Sequence, residues 1–231
     1  VILGLVIIAV FVLFLIIKMP NSKDDVFNEN IGKTVKRLFK NKDYSNGVVA
    51  QVLYVGAQIM CWTYIYQYAE GIGIDSVTAG YYQMAAFVLF TVGRATGTYL
   101  LRFINAGRLL MIFSLFAIGC TIGVILISSI LGLYCLVGVS FFMSLMFPTI
   151  YGIALGGLTE DESKIGSAGL VMAIVGGALM PKLQGMIIDL GGYGVNDINI
   201  WGVSEVNLSF ALPTFCFLFI TIFGLKSSVN K

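Results

Sequence analysis

Long apolar stretches recur along the chain, separated by short segments rich in polar and charged residues. A helix that crosses the bilayer core needs about 20 mostly apolar residues. Seven stretches fit this requirement, at residues 1–17, 48–69, 79–101, 109–127, 130–155, 167–188 and 206–225. The pattern predicts an all-α integral membrane protein with seven spans.

The basic residues divide the connections between these spans into two groups. Twelve lysines and arginines lie in segments 18–47, 102–108, 156–166 and 226–231. The alternate connections, 70–78, 128–129 and 189–205, contain no basic residue. Because lysine and arginine are concentrated in cytoplasmic loops, we expect the loop 18–47 and the C-terminus to be cytoplasmic.

The connection 18–47 contains an amphipathic pattern. Ile31, Val35, Leu38 and Phe39 recur at helical spacing with basic residues between them. The pattern fits a helix lying on the inner leaflet, and it equally fits a solvated basic linker with local helicity. The predicted domains are the first span, 1–17, the loop, 18–47, a six-helix transmembrane domain, 48–225, and a tail, 226–231.

The composition supports a membrane protein and excludes several chemistries. Of the 231 residues, 58% are hydrophobic and 11% are charged, and histidine is absent. A soluble domain carries about 25% charged residues, and histidine is the commonest metal ligand and a frequent general base. The four cysteines lie inside apolar stretches, as buried apolar residues do. The absence of histidine argues against zinc hydrolases, haem proteins and histidine-based triads. For a membrane protein of this composition, we expect no enzyme activity, no metal and no cofactor.

Charges inside the predicted spans are rare. All twelve acidic residues lie outside the spans, so a proton-coupled carrier would need an embedded carboxylate from residues outside this chain. The two embedded charges are Arg94 and Lys182. Arg94 can snorkel to the inner surface or latch onto a neighbouring helix end as a gate. Lys182 faces either a watery cavity or the outer interface.

Uncharged polar and aromatic residues form stripes on three predicted helices. Side chains spaced by three or four residues share one face of a helix. The stripes contain Tyr54, Gln58 and Trp62 in the first, Gln83, Phe87, Phe90 and Arg94 in the second, and Ser140, Ser144, Phe147 and Tyr151 in the third. Amides donate and accept hydrogen bonds, so they can bind the hydroxyls of a sugar. Flat aromatic rings beside them can bind the C–H groups on the faces of the sugar. Any single aromatic residue can instead face lipid or the membrane interface.

Four motifs give the chain a resemblance to a known family. They are YVGAQIMCW at 54–62, the Gly93–Arg94 pair, MSLMFPTIYGIALGGL at 143–158 and GLVMAIVGGALMPKLQG at 169–185. In these residues the chain resembles the second half of the fucose permease family, bacterial sugar:proton symporters of the major facilitator superfamily. The match covers nearly all of residues 48–225.

The resemblance implies a fold of twelve helices in two six-helix halves, with the sugar bound between the halves near the membrane midplane. Residues 1–17 would then be the end of helix 6, and residues 48–225 would be helices 7 to 12. The family's embedded carboxylates lie in the first half, which would be a partner of this chain.

The resemblance also assigns roles to site residues. Trp62, Phe90 and Phe147 would contact the sugar, although Phe147 stands where the fucose carrier is expected to have Tyr. Arg94, Arg102 and Arg108 would belong to a cytoplasmic gating motif. Gln58 and Gln83 are predicted to hydrogen-bond the sugar, and Tyr151 is included in the predicted site.

The sequence therefore predicts the C-terminal half of a proton-coupled carrier of L-fucose, glucose or galactose in the bacterial inner membrane. A facilitative carrier without proton coupling is one alternative, and an inactive or assembly-only half is another. A retinal-binding protein is disfavoured, because the last span has no lysine for a Schiff base and no span contains an acid.

Overall fold

A computed structural model describes residues 2–16, 31–192, 198–200 and 202–229. Lys18, Lys23 and Lys231, which contribute to the predicted orientation, lie outside these ranges. Twelve α-helices are described: α1 Ile2–Ile16, α2 Ile31–Lys40, α3 Lys42–Thr63, α4 Ile65–Gly71, α5 Ser76–Leu100, α6 Ala106–Leu126, α7 Ile130–Met143, α8 Met146–Leu155, α9 Glu160–Met172, α10 Gly176–Ile188, α11 Glu205–Ser209 and α12 Ala211–Val229.

Every predicted span coincides with one helix or with consecutive helices. Within the described ranges, four helical segments are long and apolar enough to cross a membrane: Ala106–Leu126, Ile130–Leu155, Glu160–Ile188 and Glu205–Val229. Helices α3 and α4 form a fifth if this pair, bent by 41°, is one span. The described part of α1 has only 15 residues. Helix α5 has 25 residues, but Gln83 and Arg94 lower its mean hydropathy.

The spans containing proline are broken into shorter helices. Pro148 has no N–H to donate to the carbonyl of Ser144, four residues earlier, and the break between α7 and α8 lies at this carbonyl. A 3-10 turn, Ala173–Val175, joins α9 to α10. Gly176 follows it, where any Cβ would collide with the backbone oxygen of Val52. Glycine therefore lets α10 pack closely against α3.

A two-stranded hairpin lies between α10 and α11. Strand β1, Asn199–Ile200, pairs antiparallel with β2, Val203–Ser204. Asn199 lies opposite Ser204, and Ile200 lies opposite Val203. Gly202 has a φ of 81°, a left-handed conformation that glycine adopts without strain, so it allows the tight turn.

The main core is formed by apolar side chains that the helices direct toward one another. It includes Tyr54 and Met60 of α3, Leu110 of α6, Leu136 of α7 and Phe217 of α12, all of which are buried. Because successive spans alternate in direction, one end of the bundle gathers α2, Arg102 after α5, Arg108 at the start of α6 and Lys164 at the start of α9. We call this the basic end.

Helix α2 packs on protein at the basic end. Leu38, only 2% exposed, joins Tyr44, Ala154 and Leu170 in a small apolar cluster. Phe39, the neighbouring residue, is 64% exposed. The connection contains a helix, as the amphipathic pattern predicted, and one face of this helix rests on protein. The reason is that the apolar side chain of Leu38 finds a protein surface on α3, α8 and α9.

Candidate functional site

Trp62 lies at the centre of an aromatic group formed by three helices. Its ring centroid is 5.0 Å from that of Phe87 and 5.1 Å from that of Phe90, and the rings are nearly perpendicular, at 87° and 74°. Both phenylalanines belong to α5. The indole Nε1–H donates to Oγ of Ser140 on α7 at 3.1 Å. We call these four residues the Trp62 cluster.

The Trp62 cluster joins residues from three sequence stripes. The structure brings Trp62 and Phe90, both predicted sugar contacts, into direct contact. Helical spacing places Phe87 and Phe90 on one face of α5, and this face meets Trp62 of α3. Phe87 is a further member of the cluster. Its spacing placed it on the stripe of α5, but no role in sugar binding was predicted for it.

Arg94 extends this cluster toward the basic end. The guanidinium carbon lies 5.4 Å from the centroid of the Phe90 ring, within the range of a cation–π interaction, which contributes about 0.5–1 kcal/mol at an exposed site. Among the residues that the structure describes, no carboxylate forms an ion pair with Arg94. Among the described residues, the partner of this side chain is therefore the Phe90 ring. Arg102 and Arg108 are exposed at the basic end.

Phe147 and Tyr151 form a second aromatic group with Tyr54. The Phe147 ring is 6.2 Å from that of Tyr54 and 6.4 Å from that of Tyr151, with which it is stacked. Tyr54 is fully buried, and its hydroxyl donates to the carbonyl of Met143 at 3.0 Å. The predicted sugar contact Phe147 thus belongs to a different ring group from Trp62 and Phe90. We call these three residues the Tyr54 cluster.

The glutamines differ in burial and in hydrogen bonding. Gln58 and Gln83 are half-buried, and the Oε1 atom of Gln83 is buried with no hydrogen-bond partner among the described residues. Gln51 is fully buried, and neither of its amide atoms has a partner in that part of the chain. Because buried polar atoms normally form hydrogen bonds, these amides can accept or donate to water or to a ligand.

Gln184 is a buried amide that the sequence analysis missed. Its Nε2 donates to Oγ of Ser209 at 2.9 Å, and its Oε1 has no partner in the described ranges. It lies in the motif 169–185, two residues after Lys182 on α10. The sequence does contain a signal for Gln184, because a polar residue inside an apolar helix indicates a functional or packing role. Lys182 itself has an exposed side chain.

A buried acid was also missed. Glu205 begins α11 and is 0% exposed. Its Oε2 accepts from the backbone N–H of Gly191 at 3.1 Å. Glu205 is the first residue of the helical segment Glu205–Val229, directly before the predicted span 206–225. Gly191 and Ile198 both hydrogen-bond to Glu205 at this helix end, an arrangement that no local pattern reveals.

The cysteines follow the prediction of buried apolar residues. Cys61 and Cys216 are buried, whereas Cys120 and Cys135 are partly buried. All four are free thiols. They contribute to packing among the helices.

Comparison with known proteins places this arrangement in a family. The family model of the Major Facilitator Superfamily matches residues 1–181. The L-fucose-proton symporter of Haemophilus influenzae is 47% identical over 226 residues, covering 97% of this chain and 51% of that protein. A putative glucose/galactose transporter of Helicobacter pylori is 30% identical over 230 residues, covering 95% of this chain and 52% of the relative.

Solved structures share the fold. The outward conformation of the transporter FucP has a TM-score of 0.79 and 28% identity, covering 95% of this chain and 51% of that one. A variant of the Escherichia coli fucose:proton symporter has a TM-score of 0.78 and 29% identity, covering 95% of this chain and 52% of that one.

The chain spans about half the length of the curated relatives that it matches. The relatives are transporters, and the long apolar helices are those of a multipass membrane protein. The family match covers most of the chain, and the likeness of fold extends over nearly all of it. The chain therefore belongs to the Major Facilitator Superfamily.

Proposed function

We propose that this chain is the C-terminal half of a symporter that carries L-fucose or a related hexose with a proton by alternating access. Relatives named as L-fucose-proton symporters and glucose/galactose transporters support this proposal, together with the four sequence motifs. The observation that carries it is the Trp62 cluster, because it joins aromatic rings and a hydroxyl from three helices.

The chemistry of the two aromatic clusters suits a hexose. An aromatic face carries partial negative charge, so the rings of Trp62, Phe90 and Phe147 attract the weakly positive C–H groups on the faces of a sugar. The amides of Gln58 and Gln83 supply donors and acceptors for its hydroxyls, and Tyr151 adds a phenolic hydroxyl. A site built in this way binds through shape, ring contact and a small number of polar groups.

Proton coupling would depend on the first half of the transporter. Protonation of a carboxylate there would permit sugar binding, and its deprotonation would follow release on the other side. Within this chain, Arg94, Arg102 and Arg108 would stabilise the closed state of the basic end. Lys182 is a second charge on the spanning helices and a candidate cavity residue.

The proposed orientation follows from the charge distribution. The basic end would face the cytoplasm of a bacterium, because lysine and arginine are retained on that side of the plasma membrane. Helix α1 would be the end of helix 6, the loop 18–47 would connect the two halves, and residues 226–231 would form a cytoplasmic tail.

The test is an alanine substitution in the full-length protein. Trp62→Ala should weaken L-fucose binding at least about tenfold, since removal of an anchor in a binding site costs about 2 kcal/mol or more. Binding is measured by calorimetry on purified protein. Phe215→Ala is the matched control, because Phe215 of α12 is 63% exposed and far from both clusters in sequence. Wild-type affinity in the Trp62 variant would contradict the proposed site.

Two transport measurements separate the alternatives. Addition of L-fucose to cells should make the medium more alkaline if a proton enters with the sugar, whereas uptake without alkalinisation would favour a facilitative carrier. Expression of this chain with and without a first-half polypeptide should give sugar uptake only when both are present. Absence of uptake in both cases would favour an inactive or assembly-only half.

A further inference from the structure

Ser140 has an unusual hydrogen bond for a serine inside an apolar helix. It is fully buried in α7, and its Oγ accepts from the indole N–H of Trp62 at 3.1 Å. Ser144, one turn further along, instead donates to the carbonyl of Phe141 in its own helix region at 2.7 Å. Helical serines commonly return to the backbone in this way. The hydroxyl of Ser140 is therefore directed to a neighbouring helix.

This contact occupies the only polar group of the tryptophan. An indole has one donor and no acceptor, so the N–H that reaches Ser140 is not available to a ligand hydroxyl. The remaining surface of Trp62 is its aromatic ring. A ligand at this residue is consequently recognised by ring contact.

The plane of the indole is held from two helices. Phe87 and Phe90 of α5 meet the ring at 87° and 74°, an edge-to-face geometry that aromatic pairs favour. Ser140 of α7 holds the nitrogen edge. The hydrogen bond to Ser140 adds a directional contact that fixes the position of the indole nitrogen.

We propose that Ser140 is a positioning residue that fixes the indole plane of Trp62, so that Trp62 binds the C–H face of a hexose and not one of its hydroxyls. This proposal rests on the proposed sugar site. It adds the residue that orients the Trp62 ring and that occupies the indole N–H, so that this group does not bind a sugar hydroxyl.

The Ser140→Ala substitution removes the Oγ atom that accepts from the indole N–H, and it changes the volume of the side chain little. The indole N–H then lacks its partner, so the ring turns or recruits water. Ser140→Thr retains the Oγ atom and should restore the contact. Ser144→Ala is the matched control, because Ser144 lies on the same stretch of chain and hydrogen-bonds to backbone.

The experiment uses the full-length protein with 15N-labelled tryptophan indoles. The Trp62 signal is assigned by its loss in Trp62→Phe, and its position and rate of exchange with solvent are recorded by NMR. In the wild type, we expect a protected N–H. In Ser140→Ala the signal should shift, and the indole N–H should exchange with solvent at least about tenfold faster. One hydrogen bond of about 1.4 kcal/mol corresponds to a tenfold change in the equilibrium between the protected and the open state. The Ser140→Thr and Ser144→Ala signals should match the wild type.

Sugar affinity is measured on the same samples. L-Fucose binding should weaken about fivefold to tenfold in Ser140→Ala, because one hydrogen bond that orients the ring is lost. It should weaken less than about twofold in Ser140→Thr, which keeps the acceptor. An unchanged Trp62 signal in Ser140→Ala, or an unprotected N–H in the wild type, overturns the contact. A changed signal with unchanged affinity overturns the positioning role.

The wild-type spectrum also tests the contact if Ser140→Ala does not fold. Failure of the proposed function is recognised separately, because Trp62→Ala would then bind L-fucose with wild-type affinity while the NMR result still reports on the Ser140 contact.

Discussion

Arg37 of α2 and Glu162 of α9 form an ion pair across 125 positions of the chain, with Nε 2.5 Å from Oε1. The other carboxylate oxygen, Oε2, accepts from the backbone N–H and the hydroxyl of Thr159. Thr159 in turn caps the Glu162 N–H, completing a capping box at the start of α9. One side chain thus joins the beginning of a spanning helix to the helix α2.

Loss of Glu162 should lower the stability of the protein more than loss of Arg37. Glu162→Ala removes both the ion pair and half of the capping box, a combined loss of about 1–2 kcal/mol. Arg37→Ala removes a pair whose arginine side chain is 51% exposed, so its cost should lie within about 1 kcal/mol. Hydrogen exchange of the α2 amides and the thermal midpoint in detergent measure both effects.

Glu160→Ala is the control for this comparison. Glu160 pairs with Lys164 at 3.4 Å, but its side chain is 82% exposed, and surface pairs of this kind contribute little. If Glu160→Ala and Glu162→Ala increase α2 exchange equally, the specific contact between α2 and α9 is contradicted.

Leu38 and Phe39 distinguish packing on protein from insertion into lipid. Leu38→Ala should lower stability by about 2–5 kcal/mol, the usual cost of emptying a buried leucine site, because Leu38 contacts the cluster of Tyr44, Ala154 and Leu170. Phe39→Ala should change the thermal midpoint little, since the ring is 64% exposed. A larger effect at Phe39 than at Leu38 in lipid nanodiscs would favour the leaflet interpretation.

Glu205 should hold the connection after α10 to the start of α11. Its carboxylate accepts from the Gly191 N–H, so Glu205→Ala should expose Gly191 and its neighbours to hydrogen exchange. The expected loss is about 1–3 kcal/mol, the cost of leaving a buried group without its partner. Glu205→Gln keeps an acceptor oxygen and should exchange more slowly than the alanine variant. Equal exchange in the two variants would show that the carboxyl acceptor is not needed.

Asp75 introduces a pH dependence at the start of α5. Its Oδ2 accepts from the N–H groups of Val77 and Thr78. Hydrogen bonds from Thr78, the largest cause, and from Val77 lower the pKa of the carboxyl below its usual value. A lowered folded pKa means that this stabilisation is complete above the unfolded pKa, about 3.9, and is lost as pH falls through the folded pKa.

Hydrogen exchange at Val77 and Thr78 measures this effect. Protection of these amides should fall only in the acid range in the wild type. Asp75→Asn retains a capping oxygen that does not titrate, so its protection should not change through this range. A parallel acid loss in Asp75→Asn would assign the effect to another group.

The sequence predicts the positions of the helices more completely than the contacts within the proposed sugar site. Apolar length predicted the helical stretches of the seven spans, because a spanning helix must satisfy its backbone hydrogen bonds internally. Helical spacing also predicted that Phe87 and Phe90 share a face. It did not predict that Phe147 would join Tyr54 instead of Trp62, since spacing reports which residues share a face and not which faces meet.

The roles assigned to Gln58, Gln83 and Tyr151 remain predictions for binding measurements. For Arg94, the sequence identified an embedded cation but left its partner open. The structure places the Phe90 ring against it. A cation can be satisfied by a carboxylate, a carbonyl, water or an aromatic face, and the four-residue spacing of Phe90 and Arg94 on α5 puts the ring within reach of the guanidinium.

The sequence by itself determined the class of protein, the order of the helices and the gathering of basic loops at one end, because these depend on local apolar length and charge. Only the tertiary structure decided that Leu38 packs on protein, that Glu205 is buried and that Trp62 donates to Ser140, 78 positions away. Each of these contacts joins segments distant along the chain. Their partners become defined when the helices pack, since burial removes the competing water and makes each polar or apolar contact selective.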